Sequence, residues 1–248
     1  VLETVQEGKV RRRPQPPFST DTMLQSANSR LGWSISKTSS VASSLYQSGH
    51  ITYIRTDSTR TNADAREVVR ELIAKKFGAD HLGSGVGETS KSSKGRIQDA
   101  HEAIRPTNPK VELIESNKDE AALYKLIWAR FAASQMSDSI RERRQLVFSC
   151  EELSLPLFGN SSWRVHAGWE APYSRYLSNV LTEPPKSGFA VGSMWAFDKE
   201  PAMTTDMTKP PRRFSESSII QQMKGAGIGR PSTYVSTVGK LVDRGYVE

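Results

Sequence analysis

Cysteine is almost absent from this chain: Cys150 is the one thiol in 248 residues. That excludes an intramolecular disulfide framework and any zinc site built on a cysteine cluster, and it fits a reducing compartment. His50, His81, His101 and His166 lie without metal-ligand spacing, so no histidine metal site is expected either. No run of about 18 apolar residues occurs, and no charged-then-apolar leader opens the chain, so neither a membrane span nor a secretion signal is expected. Acids are the minority charge, 27 Asp plus Glu against 34 Lys plus Arg, for a net charge of +7. With a pI near 9.5, that balance points to a polyanionic partner, nucleic acid first. The 36% hydrophobic content suffices for real cores under a polar surface, and the length suits two or three small soluble domains. The chain starts at Val1 and stops just past Gly245-Tyr246-Val247, where a strand should continue, so a fragment of a longer protein is expected.

Two segments match without a gap, Phe18 to Ile51 and Phe214 to Val247. Ser19/Ser215, Leu24/Ile220, Gln25/Gln221, Leu45/Leu241, Gly49/Gly245 and Ile51/Val247 all keep one offset. Each copy reads as a Phe-Ser start, a helix, a glycine-containing turn, a second helix and a glycine step into a strand, the outline of a winged-helix unit. Such units also serve as plain packing modules, but two of them on a basic chain favour nucleic-acid binding.

Between the copies, Ala65, Val68, Val69, Leu72 and Ile73 predict a helix over 62–77 that stops at Gly78. The Gly/Ser/Lys stretch from Gly83 to Arg96 predicts a loop. Ser116 or Asn117 can cap a long helix with a Leu123, Leu126, Ile127, Phe131 stripe, in which Trp128 is expected in the core. Short strands are predicted at Leu146–Phe148, Trp163–Val165 and Met194–Phe197. The segment Lys199 to Arg213, with Pro201, Pro210 and Pro211, reads as a connector, and Arg11-Arg12-Arg13 before Pro14 as a basic, extended entry.

Three motifs carry chemistry. In Ile51-Thr52-Tyr53-Ile54-Arg55-Thr56-Asp57, an extended strand would put Ile51, Tyr53 and Arg55 on one face, with neighbours about 7 Å apart. A phenol, with an ordinary pKa of about 10, becomes a competent nucleophile beside a fixed cation, and arginine can also hold a phosphate through two parallel hydrogen bonds. Taken alone, Tyr-x-Arg is also common on half-buried strands. In Gln98-Asp99-Ala100-His101-Glu102-Ala103-Ile104-Arg105-Pro106, Asp99 and Glu102 suggest a capped helical turn that Pro106 ends. His101 there is either a surface cap or a group that bonds a phosphate oxygen or relays a proton. In Gly227-Ile228-Gly229-Arg230-Pro231-Ser232-Thr233-Tyr234, the glycines permit close backbone approach and Pro231 suits a first helical turn. Ser232 and Thr233 would offer hydroxyl and N–H groups to a phosphate, or form an ordinary helix entry.

Together these motifs resemble the type IA DNA topoisomerases. The run Pro16 to Thr20, the stretch Leu45 to Ser58, His101 to Pro106, Leu123 to Trp128 with Ser134-Gln135-Met136, and Gly227 to Tyr234 stand in that family's order, from about Pro16 to Val247. The resemblance implies that Tyr53 is the nucleophile and becomes 5′-phosphotyrosyl-linked, with Arg55 and His101 as catalytic helpers. It implies DNA contacts at Thr56, Asp57, Arg230, Ser232 and Thr233. It also implies a multidomain α+β fold with a β-rich gate-arch end at 1–13, a mainly helical, winged-helix-like tyrosine-bearing domain at 14–140, a β-rich gate arch at 141–211 and the start of a second winged-helix-like DNA-binding domain at 212–248. Single-stranded DNA is the implied partner of a cytoplasmic, nucleoid-associated monomer. The family's Mg²⁺ belongs to a Toprim domain whose acidic cluster is not found here, so the chain by itself is expected to be inactive. The competing readings are a non-catalytic winged-helix DNA-binding module and a tyrosine recombinase or type IB enzyme; the order of Tyr53 before His101 argues against the latter.

Overall fold

The computed structural model describes residues 1–87, 102–200, 202 and 204–246. The chain is mixed α and β and divides into two compact units. The first comprises Val1–Arg12, Asp138–Ala167 and Leu177–Arg212; the second comprises Arg13–Ser137, Gly168–Tyr176 and Arg213–Glu248.

The first unit is a three-stranded antiparallel sheet, β1 (Leu2–Arg12), β2 (Ser139–Phe148) and β3 (Leu157–His166), in the order β1-β2-β3. Gln6, Gln145 and Asn160 stand in register across it. Side chains alternate faces, and one face carries the packing. Trp163 is buried there, the Arg144 guanidinium lies 5.2 Å from its ring centre, and Arg144 also pairs with Glu7 at 2.7 Å. The strand predicted at Met194–Phe197 does not form. Gly192 and Ser193 exchange backbone hydrogen bonds with Leu2, after which the chain leaves the edge of β1 and exposes Met194 and Phe197. Trp195 packs instead on Phe189, with ring centres 5.0 Å apart.

The second unit is helical: α1 (Thr20–Leu31), α2 (Ile35–Gln47), α3 (Ala63–Phe77), α4 (Lys118–Ser134), α5 (Glu216–Gly225) and α6 (Tyr234–Asp243). Its centre is α4. From Leu126 to Ser134 every residue is buried, a wider face than the predicted stripe, and Trp128 donates its indole N–H to the Pro109 carbonyl at 2.9 Å. The Asn117 side chain accepts from the backbone N–H groups of Asp119 and Glu120 at 3.1 and 2.9 Å, which satisfies two of the donors that a helix start leaves open. Asn117→Ala is therefore expected to cost about 1 kcal/mol, read as a lower urea midpoint at unchanged slope.

The sequence repeat is a structural repeat. In each copy the cap N–H donates to a hydroxyl three residues on, Ser19 to Thr22 at 2.9 Å and Ser215 to Ser218 at 2.8 Å. Each second helix ends at a left-handed glycine, Gly49 with φ 73° and Gly245 with φ 68°. The next N–H then reaches back, His50 to Leu45 and Tyr246 to Leu241, at 2.9 Å in both copies. The copies differ between their helices. Pro231, Ser232 and Thr233 lie in a turn, and α6 begins only at Tyr234, not at Pro231 as predicted. The two copies also touch. Lys224 of α5 pairs with the buried Asp21 of α1 at 2.8 Å, and Glu216 of α5 accepts from the Ile35 N–H at the start of α2 at 2.8 Å.

Candidate active site

Tyr53 rides on a backbone held from two sides. On one side, Ile51 bridges Pro106, the Thr52 N–H donates to the Arg105 carbonyl at 2.9 Å, and the Thr52 hydroxyl donates to the Ala103 carbonyl at 2.7 Å while accepting from the Arg105 N–H at 3.0 Å. On the other side stands Thr20, the first residue of α1. Its hydroxyl donates to the Ile54 carbonyl at 2.6 Å and accepts from the Thr56 N–H at 2.9 Å, while its own N–H donates to the Thr56 carbonyl at 2.9 Å. The backbone bonds go to these clamps and not to a neighbouring strand, so the segment is not the predicted strand; its pairing is confined to the bridge at Ile51.

The alternation of faces nevertheless survives. Ile54, Thr56 and Ser58 are buried, while Tyr53, Arg55 and Asp57 are exposed. Ile51 is buried as well and does not share the face of Tyr53, which corrects the predicted grouping. Tyr53 is 36% exposed, and its ring meets the Tyr46 ring edge-on, with centres 5.3 Å apart and planes 66° apart. A half-exposed phenol on a fixed backbone is accessible to a substrate while its ring stays oriented.

His101 lies outside the described residues. The neighbouring segment from Glu102 to Pro106 is extended, not the predicted helical turn. Ile104 pairs with Phe18, and the N–H groups of Ala103 and Ile104 donate to the Arg60 and Phe18 carbonyls, both at 2.7 Å, so they are taken by distant partners instead of a local helix. Glu102 and Arg105 form an ion pair at 2.6 Å.

Arg230, Ser232 and Thr233 are exposed, but Thr233 is not a free phosphate donor. Its hydroxyl accepts from the Arg230 N–H at 2.8 Å and its own N–H donates to the Arg230 carbonyl at 2.8 Å, so both groups shape the turn. Gly227 and Gly229 have φ of 71° and 79°, and a Cβ on Gly229 would sit 3.2 Å from the Tyr234 ring. The Tyr234 phenol is raised above its ordinary pKa, first by burial, then by Asp21, with a smaller push from Asp57; Lys224 and Arg230 oppose this. Asp21 at the start of α1, Asp57 and Arg230 thus all lie close enough to the Tyr234 phenol to act on it.

The family model for DNA topoisomerase matches residues 1–248, the whole chain. The chain belongs to the DNA topoisomerase family. DNA topoisomerase 1 of Thermotoga maritima is 39% identical over 247 residues, covering 95% of this chain and 38% of that protein. DNA topoisomerase 1 of Escherichia coli is 37% identical over 95% of this chain and 27% of its own length. The solved structure of full-length topoisomerase I from Thermotoga maritima superposes with a TM-score of 0.79 at 35% identity, covering 100% of this chain and 41% of that one. The topoisomerase-family chain thus spans less than half the length of these relatives.

Two residues that position the candidate nucleophile of this topoisomerase-family chain escape sequence reading. Tyr46 falls in the helix before Gly49, and nothing in its spacing shows that its ring meets Tyr53. Thr20 reads as an ordinary helix start, since the partners of its hydroxyl lie 34 and 36 positions away.

Proposed function

We propose that this chain is the strand-cleaving part of a type IA DNA topoisomerase, with Tyr53 as the nucleophile. The observation that carries this reading is the half-exposed Tyr53 phenol on a backbone clamped by Thr20 and by the 103–105 segment, with Arg55 exposed two residues on. The phenolic oxygen attacks a DNA phosphorus; a phosphotyrosyl bond forms, the bond from phosphorus to the 3′ oxygen breaks, and the phenolic proton is balanced by the one that the leaving 3′-hydroxyl gains. One phosphodiester replaces another, so the hydroxyl can attack back and reseal the strand without a nucleotide. Arg55 is assigned the charge that builds on the phosphoryl oxygens, and Arg230, Ser232 and Asp57 the contacts to the bound strand; Thr56 is buried and holds the segment from within, so the DNA contact expected of it is withdrawn. His101 remains assigned as a helper on resemblance alone.

The sheet unit is assigned to the gate arch, the tyrosine-bearing helices to the catalytic domain, and the second helix-turn-helix copy to DNA binding. Single-stranded DNA and action as a cytoplasmic monomer belong to the same proposal. Among the described residues the carboxylates around this segment do not fit a Mg²⁺ site of the kind the family uses: Asp21 is held by Lys224 and the Ser19 hydroxyl and Glu102 by Arg105, which leaves Asp57 where several oxygen ligands are needed. The metal is therefore assigned to parts of the full-length protein other than these residues, and no step is drawn through it.

Denaturant trapping on the full-length protein tests the reading. A labelled single-stranded oligonucleotide mixed with protein and quenched in detergent is expected to stay covalently attached, with peptide mass spectrometry placing the phosphodiester on Tyr53. A non-catalytic winged-helix module would bind the same oligonucleotide and leave no adduct.

A further inference from the structure

A second polar site flanks the packed face of α1. Met23, Leu24 and Ala27 are buried, whereas the polar stripe from Thr22 through Ser26 and Ser29 to Arg30 lines a pocket of about 470 Å³ that Gln15 and Arg130 close. Among the described residues no carboxylate lines it. Arg130 is 8% exposed and is held by neutral oxygens, its Nε on the Pro16 carbonyl at 2.6 Å and a terminal nitrogen on Gln15 Oε1 at 2.5 Å, with the Phe18 ring 4.8 Å away. Arg30 lies over the Tyr173 ring at 4.8 Å and the Tyr176 ring at 5.8 Å. Among the described residues neither arginine has a carboxylate partner. A buried guanidinium usually has one, because neutral acceptors do not replace a counter-charge. Burial lowers the Arg130 pKa, the Tyr173 phenol offsets part of this, and the nearby Arg30 charge adds to the lowering. Among the described residues the buried phenolic oxygen of Tyr176 also lacks a hydrogen-bond partner, while the Tyr173 oxygen faces the Arg130 guanidinium.

Two arginines among the lining of a pocket otherwise walled by hydroxyls, amides and a proline suit a tetrahedral oxyanion better than a neutral ligand. We propose that this pocket binds a phosphate group, with Arg30 and Arg130 as its cationic pair. The site is separate from Tyr53 and does not rest on the cleavage reaction. A DNA backbone phosphodiester and free phosphate share the required chemistry.

Arg130→Gln risks misfolding, so the test uses two pocket variants on α1. Arg30→Gln removes one cation. Ser26→Glu places a carboxylate one helical turn before Arg30, where it supplies the missing counter-charge from within. The 248-residue chain is melted in sodium phosphate and in sodium chloride at equal ionic strength and pH, and titrated with a labelled single-stranded oligonucleotide. Phosphate at ten times its dissociation constant is expected to raise the wild-type midpoint by about 4 °C over chloride, with the gain lost in both variants. If the natural ligand is a DNA phosphodiester, oligonucleotide affinity also falls about tenfold in both variants; if it is free phosphate, the midpoint gain vanishes while oligonucleotide affinity holds. The proposal is overturned by a phosphate gain that survives in both variants. It is equally overturned if wild type shows no gain over chloride and both variants keep wild-type oligonucleotide affinity.

Discussion

Tyr53→Phe in the full-length protein is expected to lower DNA strand cleavage by about 10⁴-fold or more while single-stranded DNA binding stays within about twofold of wild type. The substitution removes one oxygen. The ring keeps its edge-on contact with Tyr46, and the clamps at Thr20 and Thr52 touch the backbone and not the phenol, so the segment should hold its path. A denaturant-quenched cleavage assay and a fluorescence anisotropy titration on one preparation separate the two effects. Cleavage persisting at a tenth of the wild-type rate would move the nucleophile elsewhere. A parallel collapse of binding would mean that the phenol holds DNA and does not attack it.

The parts of this chain that were legible in its sequence are those fixed by near neighbours. Asn62 and Asn117 cap the helices they precede because an Asx side chain meets N–H groups two and three residues on. Gly78 stops α3, and Gly49 and Gly245 end their helices, because these positions have positive φ. The repeat was visible because both copies solve one capping and packing problem with the same residue types. What was not legible depends on distant partners. β1 shows no clean apolar alternation because most of its side chains are exposed, and its order comes from pairing with β2, more than a hundred residues on. The 102–106 segment carries a plausible local capping pattern, but Phe18, Ile51 and Arg60 supply partners that a helix would forfeit. Met194–Phe197 had the composition of a strand, but the chain leaves the edge of β1 after Ser193. For the candidate site the same division holds: the identities of Tyr53, Arg55 and Asp57 were visible, whereas the groups that hold them in place were not.

Thr20 makes that last point testable, because one hydroxyl joins α1 to the candidate nucleophile segment. Valine matches threonine in shape, so Thr20→Val keeps the packing at a position only 5% exposed. It deletes the donor to the Ile54 carbonyl and the acceptor for the Thr56 N–H, both in the interior. The Thr20 N–H still reaches the Thr56 carbonyl, so the segment should loosen and not detach. Leaving buried backbone groups unsatisfied costs about 1–3 kcal/mol, which urea unfolding would register. The larger consequence is expected in chemistry, since a displacement of about 1 Å at a reacting atom can cost about 100-fold. Cleavage by the full-length Thr20→Val protein is therefore expected to fall about 10- to 100-fold at nearly unchanged DNA affinity. Thr20→Ser restores the hydroxyl without the methyl and should recover most of that loss, an outcome that a purely packing role would reverse, because serine packs worse than valine. Wild-type cleavage by Thr20→Val would show that the 103–105 side alone positions Tyr53.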